Sequence, residues 1–220
     1  MSVLNKIQPS NASHDGGSPV RMPQIQIYAQ ARLPTQHGIF QAVSFRDQRQ
    51  NVEHLAVVQG EVAGARQVTT RIHSECLTGD VFDSLRCDCR QQLEMALGAL
   101  AKVERGVIIY MRQEGRGIGL ANKIAAYALQ DQGLDTVEAN LHLGFDDDLR
   151  SYEVAAGIIH ALGIVSVDLY TNNLRKVEGL ESHGVVVERR LPIIITANPY
   201  NRRYLDVKKR KSGHLLDDDK

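Results

Sequence analysis

The spacing of apolar residues changes along this chain, from short extended runs to helical stripes, close to Cys89. Before it, apolar runs occupy Ile25-Gln26-Ile27-Tyr28-Ala29, Gly38 to Phe45, His54 to Val58 and Gln67 to Ile72. A polar turn over Arg46 to Asn51, and Gly60 with Gly64, separate them. Short strands punctuated this way predict a meander or small barrel. After Cys89, the residues Leu93, Ala96, Leu97, Leu100 and Val103 recur at helical spacing, and Asp88 with Gln91 suits a reciprocal cap. Gly106 breaks that helix before a buried strand at Val107 to Met111.

Three close glycines, Gly115, Gly117 and Gly119, then precede a helix carrying Leu120, Ile124, Tyr127 and Ala128, which ends at Asp131-Gln132-Gly133. Thr136 to Leu143 reads as a short extended piece, and Gly144 to Arg150 as a polar loop with an acidic run. A helix with Val154, Ile158, Ile159 and Leu162 follows, closed by Gly163. A strand over Ile164 to Tyr170 leads into Thr171-Asn172-Asn173. A short helix around Lys176 and Leu180, strands at Val185 to Val187 and Ile193 to Ile195, and a turn at Asn198-Pro199 complete the pattern. The fold class is therefore α/β (mixed α+β), with a strand-rich N-terminal half and a helix-flanked sheet in the C-terminal half. One domain over 24–216 is expected, after a flexible Ser/Asn/Gly/Pro-rich leader (1–23) and before a polar tail (217–220).

Composition narrows the function. The 220 residues suffice for one large core, built from aliphatic side chains because there is no Trp and only four Phe. Twenty-six basic residues balance 26 acidic ones, which gives no case for nucleic acid or bulk membrane binding. The basic cluster Arg202, Arg203, Lys208, Lys209, Arg210 and Lys211 reads as a solvated helix, with contact to a neighbouring subunit or a nucleotide phosphate as the alternative. No apolar run is long enough to cross a membrane, and the start of the chain lacks the order of a secretory signal, so a cytoplasmic location is expected.

All three cysteines fall within one stretch: Cys76, Cys87 and Cys89. Three thiolates with an open position suit a catalytic zinc that holds and activates water. His73 is a possible fourth ligand, which would make the site structural, and three buried apolar cysteines are the plainer alternative. The polar neighbours Asp83, Arg86, Asp88 and Arg90 speak against a dry core. The glycine-rich turn Arg112 to Leu120 joins a strand to a helix and can offer backbone amides to an anion, though it is not a Walker motif. His37 and His54 need only solvation and packing.

Several words of the sequence together carry a family resemblance. They are Arg71-Ile72-His73-Ser74-Glu75-Cys76-Leu77-Thr78-Gly79-Asp80, Leu85-Arg86-Cys87-Asp88-Cys89, Arg112-Gln113-Glu114-Gly115-Arg116, Ala126 to Gly133, Asp135 to Asn140, Leu143-Gly144-Phe145 and Thr171-Asn172-Asn173. From about Ile25 to Leu216 the chain resembles GTP cyclohydrolase II, the zinc enzyme that opens riboflavin biosynthesis. The resemblance implies that Cys76, Cys87 and Cys89 hold one catalytic zinc per subunit with water in the fourth position. It implies GTP contacts at Arg71, Ile72, His73, Ser74, Glu75, Gln92, Glu114, Gly115, Arg116, Thr136, Thr171 and Lys176. Tyr127 matches the family tyrosine of the later hydrolytic step. Asp148 and Arg150 match the acid-base residue and the proposed nucleophile at the α-phosphorus, with water attack assisted by Arg150 as the alternative. Magnesium accompanying the triphosphate and a homodimer are also implied. The chain departs from the family at Arg90, where glycine is common, and at Leu174-Arg175-Lys176, where Pro-Lys-Lys is common. No attached dihydroxybutanone phosphate synthase domain is evident, so a single cyclohydrolase activity is expected.

Overall fold

In the computed structural model, which describes residues 25–146, 148–202 and 205, the extended runs become seven strands. These are β1 (Ile25–Thr35), β2 (Gly38–Asp47), β3 (Val52–Gln59), β4 (Val68–Ser74), β5 (Gly106–Met111), β6 (Ser166–Tyr170) and β7 (Val186–Leu191). They form one sheet in the order β1-β2-β3-β5-β4-β6-β7. The first three and β5 pair antiparallel, whereas β5, β4, β6 and β7 pair in parallel. The meander is present at β1 to β3. The barrel alternative is not, because β3 pairs with β5 and the sheet continues as an open one.

The period-two alternation of β5 explains the layering. Val107, Ile109 and Met111 point to a core shared with α5 (Glu153–Ala161) and α6 (Leu174–Glu181), through Val154, Ile158, Ile159 and Leu180. Ile108 points the other way, to Ala96 and Leu100 of α2 (Cys89–Leu100), with Phe40 and Val57 beside it. Helices therefore cover both faces, as parallel strands require.

The connections place the functional end. β4 crosses through α2 to β5 on one side, and β6 crosses through α6 to β7 on the other, on the opposite face. The direction of crossover reverses between β4 and β6, and such switch points open a crevice beyond the carboxyl ends of the strands. Arg71 of β4 spans it, donating from Nη1 to the carbonyl of Tyr170 at the end of β6 (2.9 Å).

Five local expectations change. Thr136 to Leu143 is not extended but contains helix α4 (Thr136–His142), started by a capping box in which Asp135 accepts from the Val137 and Glu138 amides and Glu138 reaches back to the Asp135 amide. The Asp88–Gln91 cap does not form; Asp88 accepts from Gln92 Nε2 instead. In α3 (Gly119–Asp131), Leu120 and Ile124 face outward, and the buried residues are Lys123 and Ala126. Ile193 to Ile195 lies outside the strands, because the Asn172 side chain both donates to the Ile193 carbonyl and accepts from its amide, replacing a strand partner. The polar turn after β2 is also shorter than expected, since β2 runs on to Asp47. The leader and tail, Asp147, and the basic residues Arg203, Lys208, Lys209, Arg210 and Lys211 lie outside the described residues; Arg202 is exposed.

Gly60, at the end of β3, has a φ of +68°, and a Cβ there would meet the Glu104 carbonyl oxygen at 2.0 Å. Gly60→Ala is expected to destabilise the fold by about 2–4 kcal/mol, from left-handed strain plus overpacking, read as a lower urea midpoint at unchanged slope.

Candidate metal centre and nucleotide cavity

The interior strand β4 delivers the first cysteine. Beyond Ser74 the chain stays tied to β5 through the Glu75 amide and Met111 carbonyl (2.8 Å), and Cys76 follows. The short helix α1 (Leu77–Asp80) turns back over it, Cys87 comes from the next loop, and Cys89 opens α2. The three Sγ atoms lie within 4.8 Å of one another, with Cys76 and Cys87 at 3.6 Å. Sulfurs about 3.8 Å apart are what tetrahedral zinc at about 2.3 Å from each would need, so the set fits that ion. Gly79 makes the approach possible: a Cβ there would stand 2.9 Å from Cys87 Sγ and 3.1 Å from Cys76 Sγ.

The sulfurs are electrostatically unequal. Cys76 lies far below the ordinary thiol range because it accepts from Cys87 and Cys89, against the cost of burial and with Lys123 beside it. Cys87 is pushed up to about 11, first by its bond to Cys76, and Cys89 is raised by both neighbours and by burial. Such a cluster has one thiolate at hand, and a divalent cation displaces the protons of the other two.

The surroundings dispose of His73 as a fourth ligand. Its Nε2 faces both oxygens of the Asp80 carboxylate at 3.0 and 3.1 Å, away from the cysteine set. Burial lowers the His73 pKa more than Asp80 raises it, so the ring is neutral and donates from Nε2. Asp80 also accepts from the Cys76 amide (3.0 Å) and the Tyr110 hydroxyl (2.8 Å), and His73 stacks on Tyr110. Arg90, the residue at the family's glycine position, donates to the Asp80 carbonyl (2.8 Å) and to Glu94 (2.6 Å), leaving the cysteines untouched.

The glycine turn opens onto the same cavity as the cysteines. Gly115 and Arg116 both adopt left-handed backbone, φ 63° and 60°, which is costly for the arginine and typical of functional turns. The turn holds the acidic loop directly: the Leu149 amide donates to the Arg116 carbonyl (3.0 Å), and Gly117 packs so closely that a Cβ would meet Leu149 at 3.1 Å. Leu149 is thereby fixed between Asp148 and Arg150. Arg150 grips Asp148 through two bonds, Nε to Oδ1 (2.7 Å) and Nη2 to Oδ2 (2.6 Å). Burial would raise the Asp148 pKa, but this pairing prevails and holds it below the usual carboxylate value.

One cavity joins these parts. It is lined by Arg71, His73, Ser74, Glu75, all three cysteines, Gln92, Glu114, Gly115, Arg116, Tyr127, Thr136, Arg150, Thr171 and Lys176. Two residues of the expected set do not line it: the Ile72 side chain is in the core, and Asp148 stands behind Arg150. Ile72 takes part through its carbonyl, which accepts from Lys176 Nζ (2.8 Å). Arg71 also donates to Gln92, and burial pulls its pKa to about 10 against the pull of Asp88, so it stays charged at neutral pH. Ser74 accepts from Gln113, and Glu75 pairs with Arg112. Thr171 closes a turn by accepting from the Asn173 amide (3.0 Å). Tyr127 has its hydroxyl 3.4 Å from Thr78 Oγ1 and the Arg86 guanidinium over its ring; burial pushes its pKa up to about 12, so the phenol keeps its proton. Lys123, Gln130, Asn140 and Asn172 also line the cavity and were not expected. The signal for Lys123 was a charged residue sharing a helix face with Tyr127, four residues on.

Three cysteines that could hold a metal ion and a basic, glycine-turned segment line one cavity at a strand-end crevice, an arrangement suited to a hydrolase. The comparisons give the family. The family model for GTP cyclohydrolase II matches residues 26–192. The GTP cyclohydrolase-2 of Proteus mirabilis (strain HI4320) is 53% identical over 188 residues, covering 86% of this chain and 94% of that protein. That of Histophilus somni (strain 2336) is 51% identical over 195 residues, covering 89% and 90%. The riboflavin biosynthesis protein RibBA of Endomicrobium trichonymphae is 52% identical over 184 residues, which are 84% of this chain and 46% of that longer protein. The chain belongs to the GTP cyclohydrolase II family and is an enzyme of that family.

Because Gly79 has no side chain to keep the sulfurs apart, Gly79→Ala is expected to leave the fold intact by circular dichroism while bound zinc, measured by atomic emission, falls well below that of the parent.

Proposed function

We propose that this cavity hydrolyses GTP to 2,5-diamino-6-(ribosylamino)-pyrimidin-4-one 5′-phosphate, formate and pyrophosphate. The observation that carries the reading is that the three cysteines and Arg150 open onto the same cavity. Cys76, Cys87 and Cys89 would hold zinc, which supplies activated water for attack at guanine C8 at neutral pH. Tyr127, a protonated phenol beside Thr78, orients water or the formyl group for the second hydrolysis. Magnesium bound to the triphosphate would neutralise charge on the departing pyrophosphate.

At the phosphate end, Arg116, Lys176 and the amides of the glycine turn receive the triphosphate, and Thr136 and Thr171 contribute hydroxyls. The two-point bond from Asp148 keeps Arg150 cationic. That pairing supports Arg150 as the charge that draws the α-phosphate into place while water attacks, over Arg150 as a neutral nucleophile. Asp148 then acts by aiming Arg150. Arg71 and Gln92 brace the floor at the strand switch, and His73, Ser74 and Glu75 complete the wall beside the metal ligands. A homodimer working in a reducing cytoplasm, where the thiols stay free, belongs to the same reading.

Zinc-loaded protein incubated with GTP and magnesium is expected to release formate and pyrophosphate together with the diaminopyrimidine product, all identified by mass spectrometry. Tyr127→Phe is expected to slow formate release by about 100-fold or more while a formamidopyrimidine nucleotide accumulates. Pyrophosphate without formate from the unsubstituted protein would overturn the full reaction, and a formamidopyrimidine end product would assign a shorter one.

A further inference from the structure

Helix α3 turns a lysine inward. Lys123 is 8% exposed, and its Nζ lies 3.1 Å from Cys76 Sγ and 2.7 Å from Glu114 Oε1. Burying an ammonium costs several kcal/mol unless partners compensate, so the position calls for a reason. Packing Glu114 is not that reason. Its carboxylate already accepts from two backbone amides, Leu77 through Oε2 (2.6 Å) and Gly115 through Oε1 (2.8 Å). Those bonds anchor Glu114 to both the metal turn and the glycine turn, and the anchored carboxylate aims Lys123 at the sulfur.

Charge gives the sulfur contact its meaning. A divalent ion with three thiolates carries a net negative charge, and electron density pushed from sulfur to metal weakens the metal as an electrophile. A donated N–H holds part of that density on the sulfur, the effect by which outer partners tune a metal site.

We propose that Lys123 is a positioning residue for the metal centre: its hydrogen bond to Cys76 withdraws thiolate charge and keeps the bound metal electrophilic, while Glu114 aims Lys123. The proposal rests on the cysteine-held metal read above. It concerns the turnover of bound substrate more than its binding.

The test uses full-length protein reconstituted with cobalt(II), compared with Lys123→Met, which lacks the donor, and Lys123→Gln, which keeps an N–H without charge. In the parent, a sulfur-to-cobalt charge-transfer band is expected; its absence would mean that the metal reading itself has failed. In Lys123→Met that band is expected to move to longer wavelength, because the unbonded sulfur gives up electrons more readily, with a smaller move in Lys123→Gln. With zinc, kcat is expected to fall about 10- to 100-fold in Lys123→Met while KM stays within about twofold. A parent band that is present but unmoved in either folded variant, or a rise in KM at constant kcat, would overturn the role given to Lys123. Should Lys123→Met not fold, the Lys123→Gln spectrum decides alone, a shift supporting the proposal and an unmoved band overturning it.

Discussion

Three cysteine sulfurs within 4.8 Å of one another, beyond the carboxyl end of β4, set a charge problem that much of this molecule answers. A divalent cation would let all three be thiolates at once, and the surrounding groups hold the sulfurs in place and share their charge. Asp80 ties the Cys76 amide to His73 and Tyr110, which holds Cys76 in place. Gly79 lets α1 close over the sulfurs without touching them. Lys123 supplies a buried donor to Cys76, and Glu114 holds that donor by bonding to two turns.

The same topology explains how two distant chemistries share one room. The three cysteines follow β4, whereas Arg116 and Lys176 follow β5 and β6, whose carboxyl ends flank it. On the proposed reading, a nucleotide lying across the crevice presents its base to the cysteines and its phosphates to Arg116, Arg150 and Lys176. The left-handed backbone of Arg116 is the strained point in this arrangement, and it persists because the acidic loop hydrogen-bonds to that very residue. Strain in the glycine turn and the placing of Arg150 are thus one feature.

Much of this was legible in the chain, for identifiable reasons. The cysteines cluster so tightly that their proximity needed only one turn and one helix start, and the order of helices and strands after Cys89 marked a helix-flanked sheet. What escaped was non-local or carried by polar side chains. Nothing near β3 says that it pairs with β5, so a closed barrel stood beside the open sheet. In α3 the apolar pair Leu120 and Ile124 faces outward, because the inward face belongs to the cavity and carries Lys123 and Tyr127. Asn172 mimics a strand for Ile193, which no hydrophobic pattern records. Helix α4 is different: its Asp135–Glu138 capping box stood in the sequence and was outweighed by a short apolar run.

The account turns on what surrounds the metal, and X-ray absorption at the zinc edge measures that directly. Three sulfurs at about 2.3 Å and one oxygen at about 2.0 Å are expected, without the scattering pattern of an imidazole. A fit that demands a histidine nitrogen, or fewer than three sulfurs, would contradict a water-bearing centre built from Cys76, Cys87 and Cys89.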